Sequence, residues 1–379
     1  MKKVLFTATV DSHILQFHIP YLKYFKEKGY EVHVATNGNE DIPYCDKKIV
    51  VPFERSPFKC NNLKAIKVLK KVIMAEKYDI IHTHTPMGSV VTRIAAKNAR
   101  EKYKTRVIYT AHGLHFFKGA PLKNWIVFYP VEKVLSKYTD DMILINKEDY
   151  NLVKDKFYCK NVFYIHGVGV NSKKFDIKLD DKEWFELRKS IGLNENDFGI
   201  IYAAELTKGK NQEMLIRAIK ELVDNGIKDV KVILPGLDSL KGYYQKITSD
   251  LQLNEYVKFL GYRKDIEKLM HISNLVVATS KREGLPLHLA EAMLCGLPCI
   301  ATIERGHKEL IEDGYNGYLV EQENYMQLAR KIIDIKNDKE TADRFIKNSK
   351  EVVKDYLIES VMKEMADIYT MSNFVEKCQ

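Results

Sequence analysis

Short β-branched apolar runs alternate with longer stretches of helical period along nearly the whole chain, and the pattern runs twice. In the first half the runs are VLFTAT (4–9), EVHVAT (31–36), DIIHTH (79–84), RVIYTA (106–111), DMILIN (141–146) and VFYIHG (162–167). In the second they are FGIIYAA (198–204), VKVILPG (230–236), VKFLG (257–261), LVVATS (275–280) and PCIAT (298–302). A strand that is apolar throughout, rather than at alternate positions, has both faces covered, as a parallel strand between crossover helices does. The pattern therefore predicts two Rossmann-like, doubly wound α/β sheets. The polar stretch from Asn171 to Lys182 has the composition of a linker and places the boundary near residue 175. This divides the chain into a first domain over 1–174, a second over 175–355, and a terminal helix over 356–379 that packs back on the first. A length of 379 residues suits two separate cores.

The amino-terminal run in MKKVLFTATVDSH ends at Asp11, too early for a signal-peptide core or a spanning helix, and reads as a buried strand. No other segment offers about 18 uncharged apolar residues. The expected location is the cytoplasm, with at most a surface attachment to the inner face of the membrane. Six cysteines (Cys45, Cys60, Cys159, Cys295, Cys299, Cys378) are scattered without the spacing of a metal knuckle or redox pair and read as reduced thiols.

Several enzyme classes lose their support. The first crossover, VDSHILQF, lacks the G-x-G-x-x-G fingerprint of nicotinamide and flavin enzymes, although Asp11 or Ser12 can cap a helix beginning near Ile14. The second domain lacks a Walker lysine motif, and no nucleophile triad suggests hydrolysis. In sheets of this kind ligands bind beyond the carboxyl ends of the strands, so loops of both domains are expected to face one cleft.

Three stretches at predicted strand ends carry chemistry. EGLPLHLAE (283–291) joins a buried strand to a helix of good formers; its glycine permits close backbone approach and Pro286 suits a first helical turn. Amides from Gly284 to Leu287 can hold a phosphate while Glu283 and Glu291 accept from neutral hydroxyls; equally, both acids can simply cap and solvate a helix. AELTKGKNQ (204–212) follows the first strand of the second domain, and its lysines fit either a diphosphate or a solvated loop. TAHGLHFF places His112 and His115 after a strand, as hydroxyl-binding or as structural hydrogen-bonding groups. His82 and His84 with His112 and His115 imitate a metal site, but no acid or thiol accompanies them and none is expected. Lys64, Lys67 and Lys71 recur at helical spacing beside Leu63, Ile66, Leu69, Val72 and Ile73, a pattern shared by membrane-surface helices and by core-facing helices with wet lysines.

TSKREGLPLHLAEAMLCGLPCIATIERGHKELIEDGYNGYLV, with its two acids around seven residues, resembles the carboxyl-domain signature of retaining GT-B glycosyltransferases of family 4. The similarity extends through VDSHILQFHIPYLKYFKEKGYEVHVAT, YDIIHTHTPMGSVVTRIAA, TAHGLHFFKGAPLKNW, INKEDY and GVGVNSKKF to the bacterial capsule and exopolysaccharide subgroup. The resemblance implies two Rossmann-like domains facing a central cleft. It implies a hexosyl- or N-acetylhexosaminyl-transferase that uses a nucleotide-diphosphate sugar, UDP-sugars favoured, with retention and without a bound metal or cofactor. Glu291 would bind the ribose hydroxyls and Glu283 a hydroxyl of the transferred sugar. Gly284, Leu285 and Pro286 would line the sugar and phosphates, Lys210 would face the diphosphate, and His112 would hydrogen-bond the donor sugar. The arginine usual in this family beside the diphosphate is Glu205 here, so either Glu205 points away or Lys208 and Arg282 supply the charge. Arg263 joins the candidate donor-binding cations.

A net charge of +9 and the aromatic, basic stretch FFKGAPLKNWIVFYPVEKVL favour a polyanionic or membrane-proximal acceptor, such as a glycan on a polyprenyl diphosphate. Nucleic acid is not expected, since no RNA-binding motif or arginine patch is present. A nucleotide-sugar epimerase of the same architecture and a noncatalytic nucleotide-sugar- or glycan-binding protein are the competing readings.

Overall fold

The computed structural model describes residues 1–371. The chain divides into two compact units, Met1–Gly169 with the segment from Val361, and Val170–Ser360.

In the first unit seven strands form one sheet: β1 (Lys3–Val10), β2 (Glu31–Asn37), β3 (Lys47–Val50), β4 (Ile80–Thr83), β5 (Arg106–Ala111), β6 (Asp141–Leu144) and β7 (Asn161–Tyr164). Their order is β3-β2-β1-β4-β5-β6-β7, and every pair is parallel. β1 is buried along almost its whole length, as a strand covered on both faces must be. In the second unit β8 (Phe198–Ile201), β9 (Val230–Pro235), β10 (Val257–Gly261), β11 (Leu275–Ala278), β12 (Cys299–Thr302) and β13 (Tyr318–Val320) are ordered β10-β9-β8-β11-β12-β13, again all parallel.

The expected α/β class is found, with two more strands than the pattern shows. β3 and β13 lie at sheet edges and have four and three residues. An edge strand this short, one carrying Lys47 and Lys48, has no continuous apolar run to betray it. Each sheet also reverses its winding once, between β1 and β4 in the first unit and between β8 and β11 in the second. Adjacent crossovers leave in opposite directions there, which opens a crevice beyond the strands' carboxyl ends.

Local details depart from the sequence reading. The helix Asp11–Phe17 is preceded by Val10 and has no side-chain cap. Asp11 accepts instead from Thr36 Oγ1, the Glu40 amide and Lys48 Nζ, tying three segments together. The linker-like stretch after Asn171 is packed: Asn171 caps the short helix Ser172–Phe175, and Phe175 is buried in the second unit's core. On the helix Asn61–Glu76 the core-facing residues are Ala65, Leu69 and Ile73, with Ile66 and Val72 beside them. Leu63 points outward, and Lys64, Lys67 and Lys71 are exposed. Residues from Val361 pack in the first unit, where Tyr369 donates to or accepts from His82 Nδ1 at 2.8 Å and Arg106 donates to the carbonyls of Ile368 and Tyr369. No helix among the described residues is long and apolar enough to cross a membrane. Cys378 lies outside the described residues.

Candidate active site

The second unit's switch point brings two of the singled-out stretches together. Lys210 lies in the loop after β8, ahead of the helix Gln212–Asp224, and Glu283 in the loop after β11. Lys210 Nζ donates to Glu283 Oε1. The same oxygen accepts from Ser280 Oγ at 2.7 Å, and Ser280 Oγ lies 2.8 Å from the Tyr202 hydroxyl, which donates to the Lys210 carbonyl at 2.9 Å. Thr279 Oγ1 donates to the Asn211 carbonyl at 2.8 Å and the Lys281 amide to the Gly209 carbonyl at 2.9 Å. The two loops are therefore stitched by side chain and backbone alike, and Asn211, at φ 56°, takes the left-handed turn that starts the helix.

Burial pushes the Glu283 carboxyl up, but Lys210, His288 and His307 outweigh it and hold the group below its usual range. It is therefore an anion, and neither acid caps the following helix Leu287–Leu294, whose cap position is Pro286. Among the described residues the amides of Gly284 and Leu285 have no protein acceptor, so both can meet a ligand. Gly306 comes close from the other side: a Cβ there would lie 2.8 Å from Glu283 Cβ and 2.9 Å from the Gly284 carbonyl oxygen. Arg305 Nε donates to the Glu283 carbonyl at 3.2 Å.

Glu291 sits one turn before the end of the helix Leu287–Leu294, between buried Ala290 and Ala292. Burial pushes its carboxyl up to about 7, Lys174 opposing and Glu267 adding to the shift. No hydrogen bond from the described residues satisfies it. The residue is partly exposed, so its carboxyl is open to the hydroxyls of a ligand.

Glu205, Lys208 and Arg263 make their contacts outside this pair. Glu205 accepts from Ser239 Oγ and does not join the Lys210–Glu283 pair. Lys208 lies over the Tyr243 ring, and Arg263 makes a two-pronged ion pair with Asp265, 2.8 and 2.6 Å. Arg282 is exposed beside Glu283. Sequence reasoning missed Tyr202 and Ser280, which hold the pair, and Gly306, Glu304 and His307 beneath it. Ser280, Glu304, Gly306 and His307 all stand in the same quoted stretch as Glu283, but only Ser280 is near it in sequence, three positions before.

In the first unit His112 follows β5, beside the β1–β4 switch point. Its Nε2 lies 3.4 Å from His84 Nδ1, and its ring meets His13 edge-on at 4.8 Å. His82 and His115 are drawn away: both His82 nitrogens are hydrogen-bonded, to Tyr369 and Thr110, and His115 packs on Phe128. His13 and His18, which the sequence did not single out, join His84 and His112 instead. A cavity of about 700 Å³ opens alongside, lined mostly by apolar groups such as Val10, Phe17, Met87, Phe116 and Phe128, with His13 and Thr85 at its polar part. Thr85 has φ 62°, a strained state for a β-branched residue, held by hydrogen bonds with Thr9. Nothing in the sequence marked it.

Comparison with known proteins gives the family and the fold. The glycosyl transferases group 1 family matches residues 184–352, and the glycosyl transferase 4-like family residues 3–146. A protein named as a candidate glycosyltransferase, EpsD of Bacillus subtilis (strain 168), is 42% identical over 370 residues, covering 97% of this chain and 96% of that protein. A UDP-Gal:alpha-D-GlcNAc-diphosphoundecaprenol alpha-1,3-galactosyltransferase of Escherichia coli is 28% identical over 295 residues, covering 75% and 74%. The crystal structure of Anabaena Alr3699/HepE in complex with UDP and glucose shares the fold at TM-score 0.78 and 20% identity, covering 98% of this chain and all of that one. The chain belongs to the group 1, family-4-like glycosyltransferases of GT-B fold.

Proposed function

We propose that this glycosyltransferase moves a hexose or N-acetylhexosamine from a UDP-sugar to a lipid-linked sugar acceptor in surface polysaccharide synthesis, with retention of configuration. The observation that carries the donor side is the Lys210–Glu283 pair at the β8–β11 switch point, beside the unpaired amides of Gly284 and Leu285. Lysine and amides supply countercharge to a diphosphate, and the two carboxylates accept from hydroxyls. Glu291 is the ribose-binding group, Glu283 the group facing the transferred sugar, and His112 a neutral hydrogen-bonder of that sugar. UDP in the HepE complex supports the nucleotide.

The transfer breaks the bond between the anomeric carbon and the leaving phosphate oxygen. A bond from the acceptor oxygen forms on the same face, and the acceptor proton passes to the departing phosphate. Such a step needs no strong protein base. Lys210 and the loop amides steady the leaving group, and no metal is required at the diphosphate.

The acceptor class is supported by the apolar cavity in the first unit and by the diphosphoundecaprenol substrate in the Escherichia coli relative's name. The helix Leu122–Leu135 exposes Leu122, Ile126, Val127, Val131 and Val134 beside Lys118, Lys123 and Lys133, and Val127 and Val131 also line that cavity. An apolar stripe among lysines suits peripheral contact with an anionic bilayer, where such an acceptor resides.

Release of UDP from a panel of UDP-sugars, with and without polyprenyl-diphosphate sugars, tests the reading. Release that depends on the acceptor supports transfer. Donor conversion without acceptor would indicate an epimerase, and binding without release a noncatalytic protein.

A further inference from the structure

We propose that His13, His18, His84 and His112 form a site for one divalent, nitrogen-preferring metal ion of the zinc class in the first unit. Each offers one ring nitrogen, and the four nitrogens lie within 4.8 Å of one another. Tetrahedral zinc with nitrogen ligands at about 2.0–2.1 Å sets its ligands about 3.3 Å apart. The His84 Nδ1 to His112 Nε2 separation, 3.4 Å, already has that length.

A second observation is independent of the spacing. His13 Nε2, both nitrogens of His18 and His84 Nε2 are buried without a hydrogen-bond partner. His18 and His84 are each 1% exposed. Buried polar atoms are normally satisfied. A neutral imidazole has one lone-pair nitrogen and one N–H, so His13 and His18 can each turn one unsatisfied lone pair to a cation, while His84, ligating through Nδ1, keeps its proton on Nε2. The Phe6 and Phe17 rings packed on the cluster carry no donor, and Tyr21, whose ring lies 5.6 Å from that of His18, makes no hydrogen bond to it. Imidazole is a good ligand for zinc, nickel and copper, and four imidazoles fill the tetrahedral shell of zinc.

The scaffold suits a fixed site. The four side chains follow three neighbouring parallel strands, β1, β4 and β5, at the switch point. The His18 and His84 rings stack at 3.7 Å, so ligation requires them to rotate off one another. His112 turns Nε2 toward the cluster, leaving Nδ1 for a substrate hydroxyl. The metal thus orients His112 and pins the loops after the strands, and the donor diphosphate in the second unit is handled without it.

The experiment uses the full chain without a polyhistidine tag. It is stripped with chelator, and its metal content is measured after incubation with zinc alone and dialysis. Cobalt titration then reads the site by its visible absorption bands. One equivalent of zinc is expected, with a rise in Tm and bands of a four-coordinate, nitrogen-ligated cobalt. His13→Ala and His112→Ala, the less buried ligands, should each lose stoichiometric binding while their metal-free circular dichroism matches that of the stripped wild type. Substoichiometric zinc in the wild type would overturn the proposal. Stoichiometric zinc that survives both substitutions would overturn it by placing the metal elsewhere.

Discussion

Lys210 donates to a carboxylate 73 positions along the chain, that of Glu283, and the pair closes the switch point of the second sheet. Before any ligand arrives, the cation proposed for the diphosphate is neutralised by the acid proposed for the sugar. The two substitutions should therefore diverge. Lys210→Ala is expected to weaken UDP binding and to lower turnover roughly 10²–10³-fold, the scale of losing one donor to a developing charge. Glu283→Gln should lower turnover while UDP binds a few-fold tighter, because Lys210 is released to the phosphates. Calorimetry with UDP and a UDP-release assay read the two effects, with circular dichroism confirming the fold; parallel losses of UDP affinity would contradict this account of the pair.

Glu291 gives a prediction in pH. Burial holds its folded carboxyl near 7, far above an unfolded carboxyl. The folded state thus keeps a proton that the unfolded state has lost, and the resulting stability, complete in acid, disappears as pH rises through 7. Ribose hydroxyls donate best to the charged form, so UDP affinity should rise from pH 6 to pH 8. Glu291→Gln should abolish that slope, weaken binding at pH 8 and raise the ligand-free Tm there. A substitution that stabilises while it costs binding marks a residue kept for function.

Much of this site could be read from the chain, and the reasons for the rest are physical. Lys210 and Glu283 stand in strand-to-helix loops and Glu291 on the helix after the second loop, and that setting shows in local pattern. The company they keep was not legible. Tyr202 reaches Ser280 across the sheet, and His13 reaches His112 from another crossover, through contacts that no local pattern encodes. The fold class followed from continuous apolar strands, whereas β3 and β13 escaped because edge strands bury too little to need such runs. Glu205 could not be resolved in the sequence, and its turn to Ser239 is a tertiary result.

Gly306 tests the packing beneath the donor loop. Its φ of −70° suits any residue, so only space is at issue. An added Cβ would press on the backbone of Glu283 and Gly284, which must then move. Gly306→Ala should cost roughly 10²-fold in kcat/KM, the scale of a displaced catalytic group, with little change in Tm. Wild-type kinetics would show that the loop yields without consequence.

The first unit holds a fully buried cation. Arg93 donates to Glu132 at 2.7 Å and lies over the Tyr109 ring, and Glu132 borders the apolar cavity. Removing one partner strands a buried charge, so Arg93→Met should destabilise by about 3–5 kcal/mol in urea unfolding. Adding Glu132→Gln should recover part of that loss. Equal stability of single and double variants would show that the pair is not coupled.

The most direct measurement is a crystal of the protein soaked with UDP. Density for the diphosphate against Lys210 Nζ and the amides of Gly284 and Leu285, with the ribose hydroxyls on Glu291, is the predicted result. Well-ordered UDP bound away from the loops that follow β8 and β11 would contradict the account.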